Sequence, residues 1–192
     1  SEIEGKGGWA AIGSIDTNFA DLGNFSVSGK ISTIGFGSID KTPNQRSREK
    51  FKQYGFIGNL NFGKFLPQDW GIQIPVAYAI NKQISTPEYD PFYQDLKLND
   101  RLNSSERKTQ RDSIRNQAIS FKESKNISLI GLKKNRSEDQ KERIYDIENF
   151  DFSYSYTEEN EHDFEIENLT KQNVRAGIQY SFNFNPFVIS PF

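Results

Sequence analysis

Residues 70–80 alternate between apolar and small or polar positions. Trp70, Ile72, Ile74, Val76, Tyr78 and Ile80 fall on one face of an extended chain, and Gly71, Gln73, Pro75, Ala77 and Ala79 fall on the other. Successive strand side chains point to opposite faces, so the stretch predicts a strand that is greasy on one side only. The amphipathic rings of Trp70 and Tyr78 suit a membrane–water boundary. The length suits one crossing by a tilted strand, which takes about 9–11 residues. Pro75 removes a ladder donor, so a local bulge is expected there.

The same rhythm recurs. Trp9, Ala11, Ile15 and Phe19 share a face opposite Ala10, Ser14, Asp16 and Asn18. A turn at 20–24 leads into Phe25, Val27, Gly29 and Ile31, which alternate with Ser26, Ser28 and Lys30, and the pair reads as a hairpin. Tyr54, Phe56, Leu60 and Phe62 mark a third strand. Phe150, Phe152, Tyr154 and Tyr156 oppose Asp151, Ser153, Ser155 and Thr157. Val174, Ala176, Ile178, Tyr180, Phe182 and Phe184 oppose Arg175, Gly177, Gln179, Ser181 and Asn183. Aromatic and β-branched residues favour strands.

The expected class is therefore all-β and antiparallel: a segment of a transmembrane β-barrel with a long polar insert. Residues 1–80 read as four membrane strands, 81–145 as an extramembrane insert, and 146–192 as two further membrane strands. Inside the insert, helix formers at 104–116 predict a short surface helix, and 120–133 predicts one more extended piece around Ile127, Leu129 and Leu132.

Connection lengths add a direction. Outer-membrane barrels have short periplasmic turns and longer outside loops. On that rule 20–24, 66–69 and 158–171 are periplasmic, 37–53 and 81–145 face outside, and both chain ends lie outside. About six strands fall short of the roughly 8 of the smallest closed bacterial barrels. Unpaired edges are not tolerated in lipid, so the chain reads as an internal slice of a larger barrel.

Composition narrows the alternatives. Aromatic residues make up 14% of the 192 residues, yet the mean hydropathy is −0.74. Strands with one wet and one aromatic face produce that mixture. No run approaches the roughly 18 apolar residues of a membrane-spanning helix. The absence of cysteine excludes disulfides and thiolate metal sites. A net charge of −2 gives no argument for nucleic acid. Residues 97–143 are net positive, whereas 144–170 carry many acids and no Lys or Arg. The favoured reading is solvated loops of opposite sign, with mutual pairing as the alternative.

Candidate chemistry is sparse, and no enzyme activity or cofactor is expected. His162 is the single histidine, with no nucleophile beside it in the pattern, and reads as a loop residue among carboxylates. Glu158, Glu159, Glu161, Asp163, Glu165 and Glu167 offer oxygen ligands, but their spacing fits no calcium-binding helix–loop–helix, and a solvated acidic turn is favoured. Gly5-Lys-Gly-Gly8 lacks the context of a phosphate loop. Residues 107–115 mix bases with an acid, Asp112, and contain no aromatics, which argues against nucleic acid.

Four stretches, in order, carry a resemblance: Ile74-Pro-Val76, Thr86-Pro-Glu-Tyr-Asp-Pro91, Asp146-Ile-Glu-Asn-Phe-Asp-Phe-Ser-Tyr-Ser-Tyr-Thr157 and Arg175-Ala-Gly-Ile-Gln-Tyr-Ser-Phe182. Over roughly 54–192 the chain resembles the SprA/Sov family, giant outer-membrane proteins of the type IX secretion system of Bacteroidetes. The resemblance implies part of a channel in the cell outer membrane that passes folded cargo, including gliding adhesins, to the surface. Implied partners are outer-membrane lipid, the rest of the barrel chain, secreted cargo, and the plug, gating and surface accessory proteins of the translocon, with no nucleic acid. On that reading Trp70, Ile72, Ile74, Val76, Tyr78, Phe150, Phe152, Tyr154, Tyr156, Val174, Ile178, Tyr180 and Phe182 are candidate lipid-facing residues. Gln73, Ser153, Ser155, Gln179, Ser181 and Asn183 are candidate lumen-facing residues. The competing reading is a soluble cell-surface β-sandwich serving as a binding or adhesion module, with Trp70 and Tyr78 as buried anchors; solubility without detergent separates the two.

Overall fold

A computed structural model describes residues 7–37, 48–137 and 139–183. Its main feature is an eight-stranded antiparallel sheet. β1 (Ala10–Asn18), β2 (Gly23–Ser32), β3 (Glu49–Asn61), β5 (Pro75–Pro87), β6 (Ser120–Lys134), β7 (Phe150–His162) and β8 (Leu169–Tyr180) pair each with the next. The two-residue β4 (Ile72–Gln73) pairs with the far end of β6. The sheet is open, with β1 and β8 as its edges. Helices α1 (Leu98–Ser104) and α2 (Lys108–Ala118) occupy the connection from β5 to β6.

This is a layer without a conventional core. Among the described residues, the buried hydrophobic side chains are Leu98 and Ala118, both in the helices. Ile15, Val174 and Ile178 are 71%, 59% and 68% exposed, although they sit on strands. Cohesion comes from the ladders and from cross-strand ring contacts. Phe25 stacks on Phe56 at 6.0 Å, Phe56 meets Tyr78 at 6.1 Å, and Phe150 meets Tyr180 at 5.1 Å. Such pairs contribute roughly 0.2–1 kcal/mol each in a sheet.

The expected hairpin is present, with residues 19–22 joining β1 to β2. The other strands depart from expectation mainly at their ends. Residues 70–80 are not one strand. Trp70 ends a short 3-10 helix, and Gly71 follows in the left-handed region at φ 62°. A Cβ at Gly71 would lie 2.8 Å from the Asn135 carbonyl, so the turn requires glycine. The chain then breaks again at Ile74, whose N–H donates to the Asn61 Oδ1 at 3.3 Å. Pro75 is the first residue of β5, where its missing donor is tolerated. The expected bulge lies on the neighbouring strand, at Gly131 of β6, where the β6–β7 register shifts.

β6 lies wholly inside the stretch expected to be an insert, and it joins the sheet along its length. The expected extended piece is thus a fifteen-residue strand. The expected helix is present as α2, preceded by α1. The extra strand changes which connections share an end of the sheet. Residues 163–168 lie at the same end as 33–37 and 88–119, opposite 19–22, 62–74 and 139–149. The placement of 158–171 beside the first hairpin turn is therefore corrected, and so is the placement of both described ends on one side. Residues 158–162 and 169–171, expected in that connection, are strand. Length alone no longer separates the two ends cleanly, because 163–168 is short and 135–149 is not.

Candidate functional site: two unlike faces of an open sheet

The pairing register decides which side chains share a face. Starting from Tyr78, one face carries the row Thr17, Phe25, Gly58, Tyr78, Ile127, Tyr156 and Val174. The row toward the 135–149 end carries Leu60, Val76, Leu129, Tyr154 and Ala176, and the next pairs Leu132, Phe152 and Ile178. Phe150 and Tyr180 close the band. Val76, Tyr78, Phe150, Phe152, Tyr154, Tyr156, Val174, Ile178 and Tyr180 are thus brought together on one face, and Ile72 joins them opposite Lys134 of β6. Trp70, 53% exposed on its 3-10 helix, lies off the strands. Ile74 falls in the break before β5, and Phe182 lies beyond β8. Phe184 lies outside the described residues.

The opposite face is built mainly from small and polar groups. One row runs Asp16, Ser26, Ile57, Ala79, Asn126, Thr157 and Asn173; the next runs Asn18, Asn24, Asn59, Ala77, Ser128, Ser155 and Arg175. Gln73, Ser153, Ser155 and Gln179 belong to this face, whereas Ser181 and Asn183 follow the last strand. Its amides and hydroxyls bond across strands: Asn59 to Asn24 at 2.8 Å, and Asn126 to the Thr157 hydroxyl at 2.8 Å.

The apolar face ends on a charged row. Lys82 Nζ lies 2.6 Å from Glu123 Oε1, and Lys125 Nζ lies 2.9 Å from Glu123 Oε2. Lys125 also reaches Glu158 at 3.7 Å. Tyr156 donates its hydroxyl to Glu158 at 2.7 Å, and Asn160 and Gln172 donate to the same carboxylate at 3.0 and 3.2 Å. The tyrosine is thus apolar in body, with its tip among ions. On the other face Lys122 and Glu161, opposite each other in the ladder, lie 2.6 Å apart. The basic and acidic blocks therefore meet across β6 and β7, and the solvated-loop reading is corrected there. Sequence spacing leaves this pairing as the less favoured alternative because the register of 120–133 against β7 is not visible in the pattern.

A second polar cluster forms at the 135–149 end. Lys134 pairs with Glu148 at 2.8 Å, and Arg136 reaches Glu142 at 3.2 Å and Asp146 at 3.4 Å. The Lys134 ammonium, and then the backbone N–H of Glu148 itself, hold the Glu148 carboxyl below the usual carboxylate range against the opposing effect of burial. Buried Asn149 receives the Arg136 guanidinium at 2.7 Å, and its carbonyl accepts the Ser181 N–H at 2.8 Å. This ties the connection to the end of β8. His162, the last residue of β7, stacks on Phe121, with ring centroids 5.2 Å apart, and lines a recess with Asp163, Glu165 and Glu167. Among the described residues, no group of three His, Asp or Glu side chains is placed to hold a metal ion. Nor, among the described residues, is any helix long and apolar enough to cross a membrane, which leaves strand-crossing untouched.

These features define a class: an antiparallel sheet protein with one exposed aromatic face and one small polar face. A family model described as motility related/secretion protein, SprA_N, matches residues 1–102, and the chain belongs to that family. The match includes β1 and β2, which lie outside the stretch that carried the sequence resemblance. No curated protein matches the chain.

Proposed function

We propose that this sheet is a wall segment of the outer-membrane protein-conducting channel of the type IX secretion system, passing folded cargo to the cell surface and supporting gliding motility. One observation carries the reading: an exposed apolar face, rich in aromatic rings, shared by the paired strands, with no second layer among the described residues over its aromatic band. In water such a face is a liability of several hundred Å² or more. Against lipid it is the expected surface of a barrel strand. β5, β7 and β8 have thirteen, thirteen and twelve residues. That exceeds the about 9–11 needed to cross, and the surplus carries the charged row beyond the apolar band.

The role of this segment is passive. Unpaired edges cannot face hydrocarbon, so β1 and β8 pair with further strands of the barrel chain. Barrel diameter grows with strand number, which gives room for a folded protein in a wet lumen. Ser, Thr, Asn and Gln on the polar face offer that lumen hydrogen bonds already shared among neighbours, so passing cargo is held weakly. The end bearing 88–119, the longest connection, faces outside and is available to accessory and gating proteins.

Cysteine scanning of the full-length protein in its own membrane tests this. Ser153→Cys, Ser155→Cys and Gln179→Cys are expected to react with a charged, membrane-impermeant maleimide. Tyr154→Cys and Ile178→Cys are expected to resist it. Equal labelling of neighbouring positions on β7 or β8 would remove the lipid-and-lumen assignment.

A further inference from the structure

Beyond the Lys82–Glu123 row, the aromatic face continues into a recess. Here Lys50 and Lys52 of β3 lie opposite Thr86 and Ile84 of β5. The α1–α2 segment returns over this end of the sheet and closes a cavity of about 650 Å³. Lys97, just before α1, and Arg115 of α2 bring two more cations to its lining. The described lining holds one carboxylate, Glu88. Among the described residues, none of these four cations lies within ion-pair distance of an acid, whereas Lys82, Lys122, Lys125 and Lys134 all do.

Apart from Thr86 and Asn99, most of the remaining lining is apolar. Leu98 and Leu102 are one turn apart on α1 and so share its inner side. Ile84 and Ile119 complete the floor. Down the same face of β3, Tyr54 and Phe56 lead from this floor to the aromatic band. Four cations against one carboxylate call for an anion, and phosphate is an anion that Lys and Arg recognise together. A free phosphate has no use for the apolar floor, and a bare hydrocarbon chain has no use for the cations. An anionic amphiphile uses both.

We infer that this recess binds the phosphorylated headgroup of an anionic membrane lipid, with a hydrocarbon chain laid down the Tyr54–Phe56 column. The inference rests on the reading of the aromatic face as lipid-facing, and gives that face a lipid preference at its charged border. Juxtamembrane Lys and Arg are drawn to anionic headgroups in this manner.

The test uses the full-length protein in detergent, with native mass spectrometry of retained lipid. Dioleoylphosphatidylglycerol, dioleoylphosphatidylcholine and inorganic phosphate are the three probes. One phosphatidylglycerol per chain is expected to be retained in preference to phosphatidylcholine, and millimolar inorganic phosphate is expected not to displace it. The triple change Lys52→Gln, Lys97→Gln and Arg115→Gln is expected to weaken retention at least about tenfold. Arg115→Gln alone, at an exposed helix position, gives a smaller loss in the same direction and guards against a folding defect in the triple variant. Equal retention of both lipids, or unchanged retention by both variants, overturns the inference. Displacement by inorganic phosphate makes the recess an anion site and also overturns it. All these results leave the wall reading intact if the cysteine pattern on β7 and β8 holds; failure of that pattern removes the wall reading first.

Discussion

Lys82 and Glu123 face each other across β5 and β6, with the ammonium nitrogen 2.6 Å from a carboxylate oxygen. Four residues along each strand, on the same face, Tyr78 faces Ile127. The change from ion pair to hydrocarbon is that abrupt. Glu123 is 8% exposed and bridges two lysines, so it is the hinge of the charged row. Glu123→Gln removes the carboxylate from Lys82 and leaves Lys125 only its longer contact to Glu158. A hydrogen bond to a charged group contributes about 1.5–3 kcal/mol. Both lysines are roughly two-fifths exposed, and water screens the loss. The expected cost is about 1–2 kcal/mol. It would be read as a lower heat-unfolding midpoint of the full-length protein in detergent, and an unchanged midpoint counts against the bridge.

Ile178 and Gln179 are neighbours in sequence that point to opposite faces of the edge strand β8, opposite Phe152 and Asp151. A lysine on the lipid side of a barrel strand costs about 2–4 kcal/mol near the bilayer midplane. Ile178→Lys is therefore expected to lower the amount of protein assembled in the outer membrane several-fold, and Gln179→Lys to leave it nearly unchanged. Quantitative immunoblotting of the membrane fraction checks this. Similar losses at both positions would mean that the strand has no lipid side.

β7 and β8 were legible because their alternation is unbroken: Phe150 to Tyr156 never leaves phase. β6 was legible as an extended piece around Ile127, Leu129 and Leu132, but not as a member of the sheet. Ile127 and Leu129 keep one parity, and the bulge at Gly131 then moves Leu132 onto the same face from the other parity. No single period fits such a segment, so its face and register are hidden in the pattern. The far ends of β5 and β7 were hidden for another reason. Residues 81–87 and 158–162 are polar and look solvated in isolation. They are held as strand by partners that exist only after pairing, such as Lys122 with Glu161 and Lys125 with Glu158. Trp70 fits the strand alternation, but hydrophobic pattern does not register the left-handed Gly71 beside it. The family resemblance carried the functional reading further than any spacing did.

Gly131 itself offers a clean test of the bulge. Its φ is +86°, and the nearest atom to an added Cβ is Pro75 Cγ at 3.9 Å, an ordinary contact. Gly131→Ala thus introduces backbone strain and no clash. The left-handed region costs an L-residue about 1–2 kcal/mol. Gly131→Asn is expected to cost less, because asparagine tolerates that region. Unfolding midpoints should fall in the order glycine, asparagine, alanine. Alanine equal to glycine would show that β6 runs through without the register shift.

Glu148 gives the pH dependence. Its side chain is 4% exposed and its oxygen lies 2.8 Å from the Lys134 ammonium. The ammonium depresses the carboxyl's pKa, with the residue's own backbone N–H and then Arg136 adding to it. A group whose folded pKa is lowered binds its proton more readily in the unfolded chain. Its stabilising contribution is therefore complete above the pH at which a free glutamate ionises, about 4.3, and fades as pH falls through the lower folded value. Glu148→Gln cannot titrate. At pH 7 the variant is expected to unfold at a lower temperature than the parent, by a margin that stays constant down to about pH 5 and narrows below about 4.3. Heat-unfolding midpoints of the two proteins across that range measure the margin. A margin that instead grew on acidification would mean that Glu148 is held protonated, and that the Lys134 contact does not form.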